Sequence, residues 1–350
     1  MRERLRWYLR ITRMRAGALA ALPFGAGYLI TGREQPAEAA AWWCFGLAYH
    51  AYACVLNDLA DQRTDSLDPT RRGAPLVGGP LVRRHAVRAG VLLGAGQCAA
   101  VAFLSTSTRP ALLALVALVT YGNLRQKRSA WVPPWCMDVL FGIAMAGPLV
   151  VVASTSGRPP AAVWLFAVAF GLQMDLFNGV AGNVKDLAHD HAVGARTTAL
   201  ALGVRPAGAG IRFTRRYGVY CLGLWALGAA AAVAAVVTAE APHSRTLVLA
   251  AGVGALHVLS LVSLSRLLAG RRPPSRTGRD PFLLGQFLGI FVVLAAFAGP
   301  VRSAGLPALV VAWTALFPRL ERLLAAGSES RVPAARGRAG TRESGSSVRR

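Results

Sequence analysis

The chain has 350 residues, 54% of them hydrophobic and 16% charged, with a formal net charge of +23 and a mean hydropathy of +0.43. That balance is ordinary for a polytopic membrane protein and foreign to a soluble domain. The positive charge is spread over gaps and ends instead of gathering on one soluble face, which excludes a nucleic-acid partner.

In chain order, a basic stretch (Arg2, Arg4, Arg6, Arg10, Arg13, Arg15) runs into the first apolar segment. It lacks a small-residue cleavage site, so it reads as the flank of a membrane span and not as a removable signal. Runs of roughly the ~20 residues that cross a bilayer as a helix fall at about 16–32, 39–56, 87–105, 109–124, 135–153, 161–182, 217–239, 246–268 and 282–300. A shorter stretch follows at 304–318. The runs are continuously apolar, without the period-2 alternation of barrel strands, and so predict helices. The expected fold class is all-α: a polytopic membrane helix bundle of about nine transmembrane helices around a central cavity. Residues 304–318 form either a short tenth span or an interfacial helix. Residues 1–318 make up this domain, and 319–350 a basic, disordered tail.

Basic residues fill every second gap, which places the N-terminus on the cytoplasmic side of the cell membrane. Nine spans alone would leave the Arg-rich end of the chain on the far side, against that rule. Five cysteines (Cys44, Cys54, Cys98, Cys136, Cys221) lie in or beside apolar runs without a Cys-x-x-Cys pair, and read as packing residues.

Two polar gaps, both on the cytoplasmic side by this reading, hold five of the sixteen acidic residues. The first contains Asn57, Asp58, Asp61 and Asp65. Positions 57, 61 and 65 form one ridge of a helix, and Asp58 meets Asp61 three residues on. The second contains Asn183, Asp186 and Asp190, again with carboxylates four apart. Left alone, such clusters repel themselves, and their expected use is to hold a hard cation, Mg²⁺, together with a phosphate-bearing ligand. The alternative is an ordinary solvated juxtamembrane loop. His189 and His191 are two apart and would point away from each other on a helix, which argues against zinc. The motifs lie 128 positions apart, each where an apolar span ends, as in proteins whose sites form between membrane repeats.

Only two of the 39 basic residues are lysines, Lys127 and Lys185, and both fall in polar gaps. A compact ammonium suits phosphate oxygens where a planar guanidinium does not fit. Arg72 and Arg128 are further candidate phosphate partners, and Tyr121 offers a hydroxyl or a ring face. Asp138, Asp175 and Asn178 are polar within membrane-length runs, where function and helix-to-helix hydrogen bonding are both good accounts.

At these motifs the chain resembles the UbiA superfamily of intramembrane prenyltransferases. Asn57, Asp58, Asp61 and Asp65 complete that family's N-D-x-x-D-x-x-x-D pattern. Arg72 through Gly79 is similar to its Arg-Pro-Leu…Gly segment, with two residues between Arg72 and Pro75. Tyr121…Lys127 looks like its Tyr…Lys segment, and Asp186, Asp190, Gly194, Thr197 and Thr198 match the second motif. The resemblance covers roughly residues 10–300. It implies that Asn57, Asp58, Asp61, Asp65, Asn183, Asp186 and Asp190 coordinate Mg²⁺ around an isoprenyl diphosphate. Asp61, Asp186, Lys127 and Arg72 would act directly on the leaving group. Asn57, Lys185, Tyr121 and Arg128 would help to bind it. The expected reaction is transfer of the isoprenyl group to a small-molecule acceptor within membrane lipid. A membrane terpene cyclase using the same ionisation, and a non-catalytic membrane carrier, are the alternatives.

Overall fold

The structure is a computed structural model that describes residues 2–79, 81–104, 106–208, 210–270 and 281–329. A short basic helix α1 (Arg2–Ile11) leads into α2 (Gly17–Ile30), and Pro36 then opens α3 (Pro36–Asp65) at a position where its missing N–H costs nothing. Next come α4 (Arg83–Ala102), α5 (Arg109–Arg125), α6 (Pro134–Ala153) and α7 (Ala161–Leu176). After a π turn (Phe177–Asn183) stand two short helices, α8 (Leu187–Ala192) and α9 (Thr198–Ala201), and a hairpin of β1 (Arg205–Ala207) and β2 (Gly210–Arg212). The chain finishes with α10 (Arg215–Thr238), α11 (His243–Ala269), α12 (Pro281–Ala298) and α13 (Pro300–Glu329).

Among the described residues six helices (α3, α6, α7, α10, α11 and α13) are long and apolar enough to cross a membrane, and α2 and α12 are shorter apolar helices. The bundle is the expected all-helical one, with the small antiparallel hairpin as its one strand feature among the described residues. Helices α6 and α7 pack at the centre, against α2 on one side and α10 on the other. Close approach is bought by small residues: Gly46 of α3 lies against Ala21 and Phe24 of α2, where an added Cβ would sit 2.8 Å from the Ala21 backbone. Large side chains such as Phe103, Leu92, Trp164 and Val248 remain exposed, as expected of a bundle whose outer surface meets hydrocarbon.

Three expectations change. The run at 161–182 is not one α-helix, because the last turns widen into a π turn before the second motif. The stretch at 304–318 is not short; it is the middle of a 30-residue helix, long and apolar enough to cross a membrane. That helix runs antiparallel to α2: Arg302 pairs with Glu34, Leu306 meets Gly25, and the Trp313 indole N–H donates to the Met14 carbonyl at 2.7 Å. Its C-terminal part therefore lies beside α1, at the same end of the bundle. Finally, α13 stays helical past residue 318 to Glu329, into the segment assigned to the tail; residues 330–350 lie outside the described residues.

Candidate active site

Helix α3 is about 45 Å long at 1.5 Å per residue, more than a hydrocarbon core needs. Its final turns carry Asn57, Asp58, Asp61 and Asp65 at the end of the bundle. The loop that follows folds back under α1, where its Leu76 and Leu81, with Ala86 of α4, bury Ile11 and Val55 in a small separate core. The second motif arrives from the opposite side. The π turn ends at Asn183, Asp186 caps α8, and the Asp190 N–H donates to the Asp186 carbonyl at 2.8 Å. Leu187 and Val184 anchor this segment in a core with Leu176, Tyr217 and Leu264.

Between the two motifs stands Lys127, on the loop between α5 and α6. Its Nζ donates to Asp190 Oδ1 at 3.0 Å, and its field is felt at Asp61 as well. Burial pulls the Lys127 ammonium down, but Asp190 and Asp61 more than offset this and hold it above its ordinary value. Asp190 is 1% exposed, and burial raises its carboxyl despite the lysine. Its second oxygen, Oδ2, is buried with no hydrogen-bond partner among the described residues. Asp61 receives a long contact from Arg128 (3.9 Å) and the Asn57 amide (3.4 Å). The Arg128 guanidinium also donates to the Ala60 carbonyl.

The remaining carboxylates meet a second group of cations. Arg13 Nη2 lies 2.6 Å from Asp58 and 3.1 Å from Asn57 Oδ1. Arg71 reaches Asp186 at 3.5 Å, and Lys185 reaches the same oxygen at 4.0 Å. Lys185 is lowered, chiefly by burial, with Asp186 opposing and neighbouring cations adding to the shift. Asp65 has no ion pair within 4.0 Å among the described residues and feels Arg71 through space. Asp61, Lys127, Arg128 and Asp190 line one wall of a cavity of about 1060 Å³.

Several expected residues take other positions. Arg71, not Arg72, is the arginine of its loop that reaches the aspartates; Arg72 is exposed and makes no ion pair among the described residues. Tyr121 is 41% exposed on α5 and meets none of the motif residues through a hydrogen bond. The side chain of Asn183 lies outside the described residues. Arg13 was not singled out by the sequence. Its signal is its backbone, the one positive φ (47°) among described non-glycine residues, which turns the chain between α1 and α2 and aims the guanidinium at the motif.

Of the intramembrane polar residues, one supports the second motif directly. Asp138 of α6 accepts from the Thr198 hydroxyl at 2.6 Å and the Tyr220 hydroxyl at 3.0 Å, tying the second motif's loop to the bundle. Asp175 of α7 sits against Gly142, where a Cβ would come within 2.7 Å of its carboxylate. Asn178 stands in the π turn, its Nδ2 buried without a partner among the described residues.

Among the described residues no three His, Cys, Asp or Glu side chains converge into a metal cage. Arginines and lysines stand between the carboxylates. The donor chemistry nevertheless fits a hard cation: every motif side chain offers oxygen, and Asp190 Oδ2 is a buried acceptor that no group among the described residues satisfies.

A membrane helix bundle with two Asp motifs meeting at one end defines the class, and sequence comparison agrees. Residues 20–277 match the UbiA prenyltransferase family, and the chain belongs to that family. No curated protein matches the sequence. Among solved structures, a UbiA homolog from Archaeoglobus fulgidus bound to GPP and Mg²⁺ superposes with a TM-score of 0.63 at 21% identity, covering 83% of this chain and 99% of that one. A UbiA homolog from Aeropyrum pernix K1 gives 0.61 at 19% identity, with 80% and 96% covered. A digeranylgeranylglyceryl phosphate synthase gives 0.62 at 15% identity, with 87% and 99% covered. At these identities the likeness is one of fold.

Proposed function

We propose that this protein transfers an isoprenyl group from an allylic diphosphate to a small-molecule acceptor within the membrane, with Mg²⁺ as cofactor. The observation that carries this reading is the meeting of the two motifs around Lys127, which bonds Asp190 at 3.0 Å beside a cavity that Asp61 also lines. The relative from Archaeoglobus fulgidus bound to GPP and Mg²⁺ supports it by analogy.

In this reading Asp58, Asp61, Asp65, Asp186 and Asp190 hold the cation, with Asn57 and Asn183 assisting. The bound ion supplies charge neutralisation to the diphosphate. Lys127, Arg128, Arg71 and Lys185 add fixed positive charge where the leaving oxygens gain negative charge as the allylic C–O bond breaks. Diphosphate departs with the bonding electrons, the acceptor supplies a pair to the allylic carbon, and the acceptor's displaced proton is released. Groups that are preset around the leaving oxygens need no reorganisation at that moment, and a site shielded from bulk water strengthens each contact. The motif end faces the cytoplasm, where a soluble diphosphate can enter, while the apolar bundle shelters the isoprenoid tail.

The test is diphosphate release by purified protein in detergent, with allylic diphosphates of several lengths, with and without an acceptor panel. Release that needs Mg²⁺ and falls by roughly 10²-fold or more in Asp61→Ala and Asp186→Ala is the expected result. Folded protein silent under every combination would sink the reading in favour of a non-catalytic carrier. Organic products formed without any acceptor would favour cyclisation.

A further inference from the structure

We propose that the cavity between the β1–β2 hairpin and the end of α11 binds the phosphate headgroup of an anionic membrane phospholipid. The site lies outside the residues assigned to the diphosphate and stands whether or not prenyl transfer is the reaction.

Charge is the first observation. Between Asp190 and Asp280 the sequence holds one acidic residue, Glu240, and it follows α10 at the far end of that helix from the hairpin. The same stretch brings Arg205, Arg212, Arg215, Arg216 and Arg266 to the hairpin, the start of α10 and the last turn of α11. Arg205 and Arg212 stand opposite each other across the hairpin, where like charges repel. The Arg205 guanidinium turns aside and donates to the Leu200 and Val204 carbonyls, at 2.7 and 2.8 Å. Arg212 stays exposed. Like Arg215, Arg216 and Arg266, it makes no side-chain hydrogen bond or ion pair among the described residues. Arginines at such a boundary follow the ordinary charge rule of membrane proteins. What that rule does not supply is a cavity beside them.

The cavity has a volume of about 360 Å³, and its lining includes Ala207, Ile211, Arg212, Phe213, Leu268 and Ala269. One guanidinium among apolar side chains is the mixture that suits a phosphate continuing into an acyl chain. Arg266 precedes Gly270 by one turn on the same helix face, and Arg215 follows Phe213 by two residues, so both lie close to the lining. Depth agrees with this. At 1.5 Å per residue α10 and α11 are about 36 and 40 Å long, against a hydrocarbon core of about 30 Å. Their arginine-bearing ends, beside the cavity, are the ends that suit the headgroup layer on the motif side. A lipid seated there would also touch the second motif through packing. Ile211 of β2 and Val204 are buried with Val184, Leu187 and Tyr217, so whatever holds the hairpin steadies the loop that carries Asp186 and Asp190.

The test uses full-length protein in neutral detergent, titrated with dioctanoyl phosphatidylglycerol or dioctanoyl phosphatidylcholine and followed by native mass spectrometry and by melting. Phosphatidylglycerol should bind about tenfold more tightly than phosphatidylcholine and raise the melting transition, and Arg212→Gln should weaken it about tenfold, as loss of a charged hydrogen bond does. Ala269→Trp keeps every arginine but fills the cavity, and should weaken binding at least as much. Arg212 and Ala269 are both exposed, so neither substitution disturbs the core. Arg88→Gln removes the same charge from an exposed position on α4 and should bind as wild type. Equal binding of the two lipids would overturn the proposal. Equal weakening by Arg88→Gln and Arg212→Gln, or unchanged binding in Ala269→Trp, would do the same, since diffuse charge would then hold the lipid. Inorganic phosphate that displaces the lipid at equal concentration would also overturn it, because the site would then take a free anion.

Discussion

The two aspartate motifs share a spacing but not a construction. The first lies on the last turns of an unbroken 30-residue helix, so its side chains take the ridge that i, i+4 geometry dictates. The second straddles a π turn, a cap and a helix of six residues, and its two carboxylates part company. Asp186 turns to Arg71 and Lys185, whereas Asp190 goes under the surface to Lys127. Equal spacing therefore means equal geometry only where the helix is continuous. The first motif is a rigid projection, and the second is a packed loop whose shape depends on what it touches.

The widest separation between them is expected at Asp190. Asp190→Ala strips a half-buried lysine of its buried partner in a packed loop, so it should cost both chemistry and fold. Diphosphate release should fall about 10³-fold, and thermal stability in detergent by roughly 3 kcal/mol, the low end for breaking a buried pair because Lys127 keeps some solvent. Asp61→Ala, on the projecting helix, should lose roughly 10²-fold in release while melting as wild type. Equal losses of stability in the two variants would break the comparison.

A smaller effect distinguishes neighbouring arginines. Arg71→Gln should reduce release about tenfold, the scale of one charged hydrogen bond, whereas Arg72→Gln should stay within about twofold, as surface changes do. The reverse order, measured side by side at saturating diphosphate, would return the role to Arg72. Thr198→Val tests the packed loop without touching a motif carboxylate. It leaves Asp138 short of one donor, and should lower the melting transition by about 1–3 kcal/mol. An unchanged transition would mean that the loop is held by its apolar anchors alone.

What the sequence made legible follows the same division. Hydropathy located the bundle, and the ridge of Asn57, Asp61 and Asp65 was readable because helical periodicity fixes direction. Lys127 was readable through the rarity of lysine. The choice between Arg71 and Arg72 was not, since a non-helical loop has no period from which to infer a face. The full length of α13 was hidden because Pro307, Pro318, Arg319 and Arg322 interrupt the apolar run, while packing against α1 and α2 keeps the helix whole.

Arg13 escaped for a related reason, as one arginine among six at a basic N-terminus, and its expected effect is small. Its guanidinium occupies the space before Asp58 and Asn57, so any cation approaching that end of the rigid motif meets a positive charge already there. Arg13→Gln keeps the backbone's non-glycine character at φ 47° and removes only the charge. With the repulsion gone, the Mg²⁺ concentration for half-maximal release should fall about threefold, the scale of a partly screened charge pair. Maximal release at saturating Mg²⁺ should change less. If the half-maximal concentration rises instead, Arg13 binds the diphosphate and helps to recruit the metal with it. The rigid motif would then depend on a neighbour as much as the packed one does.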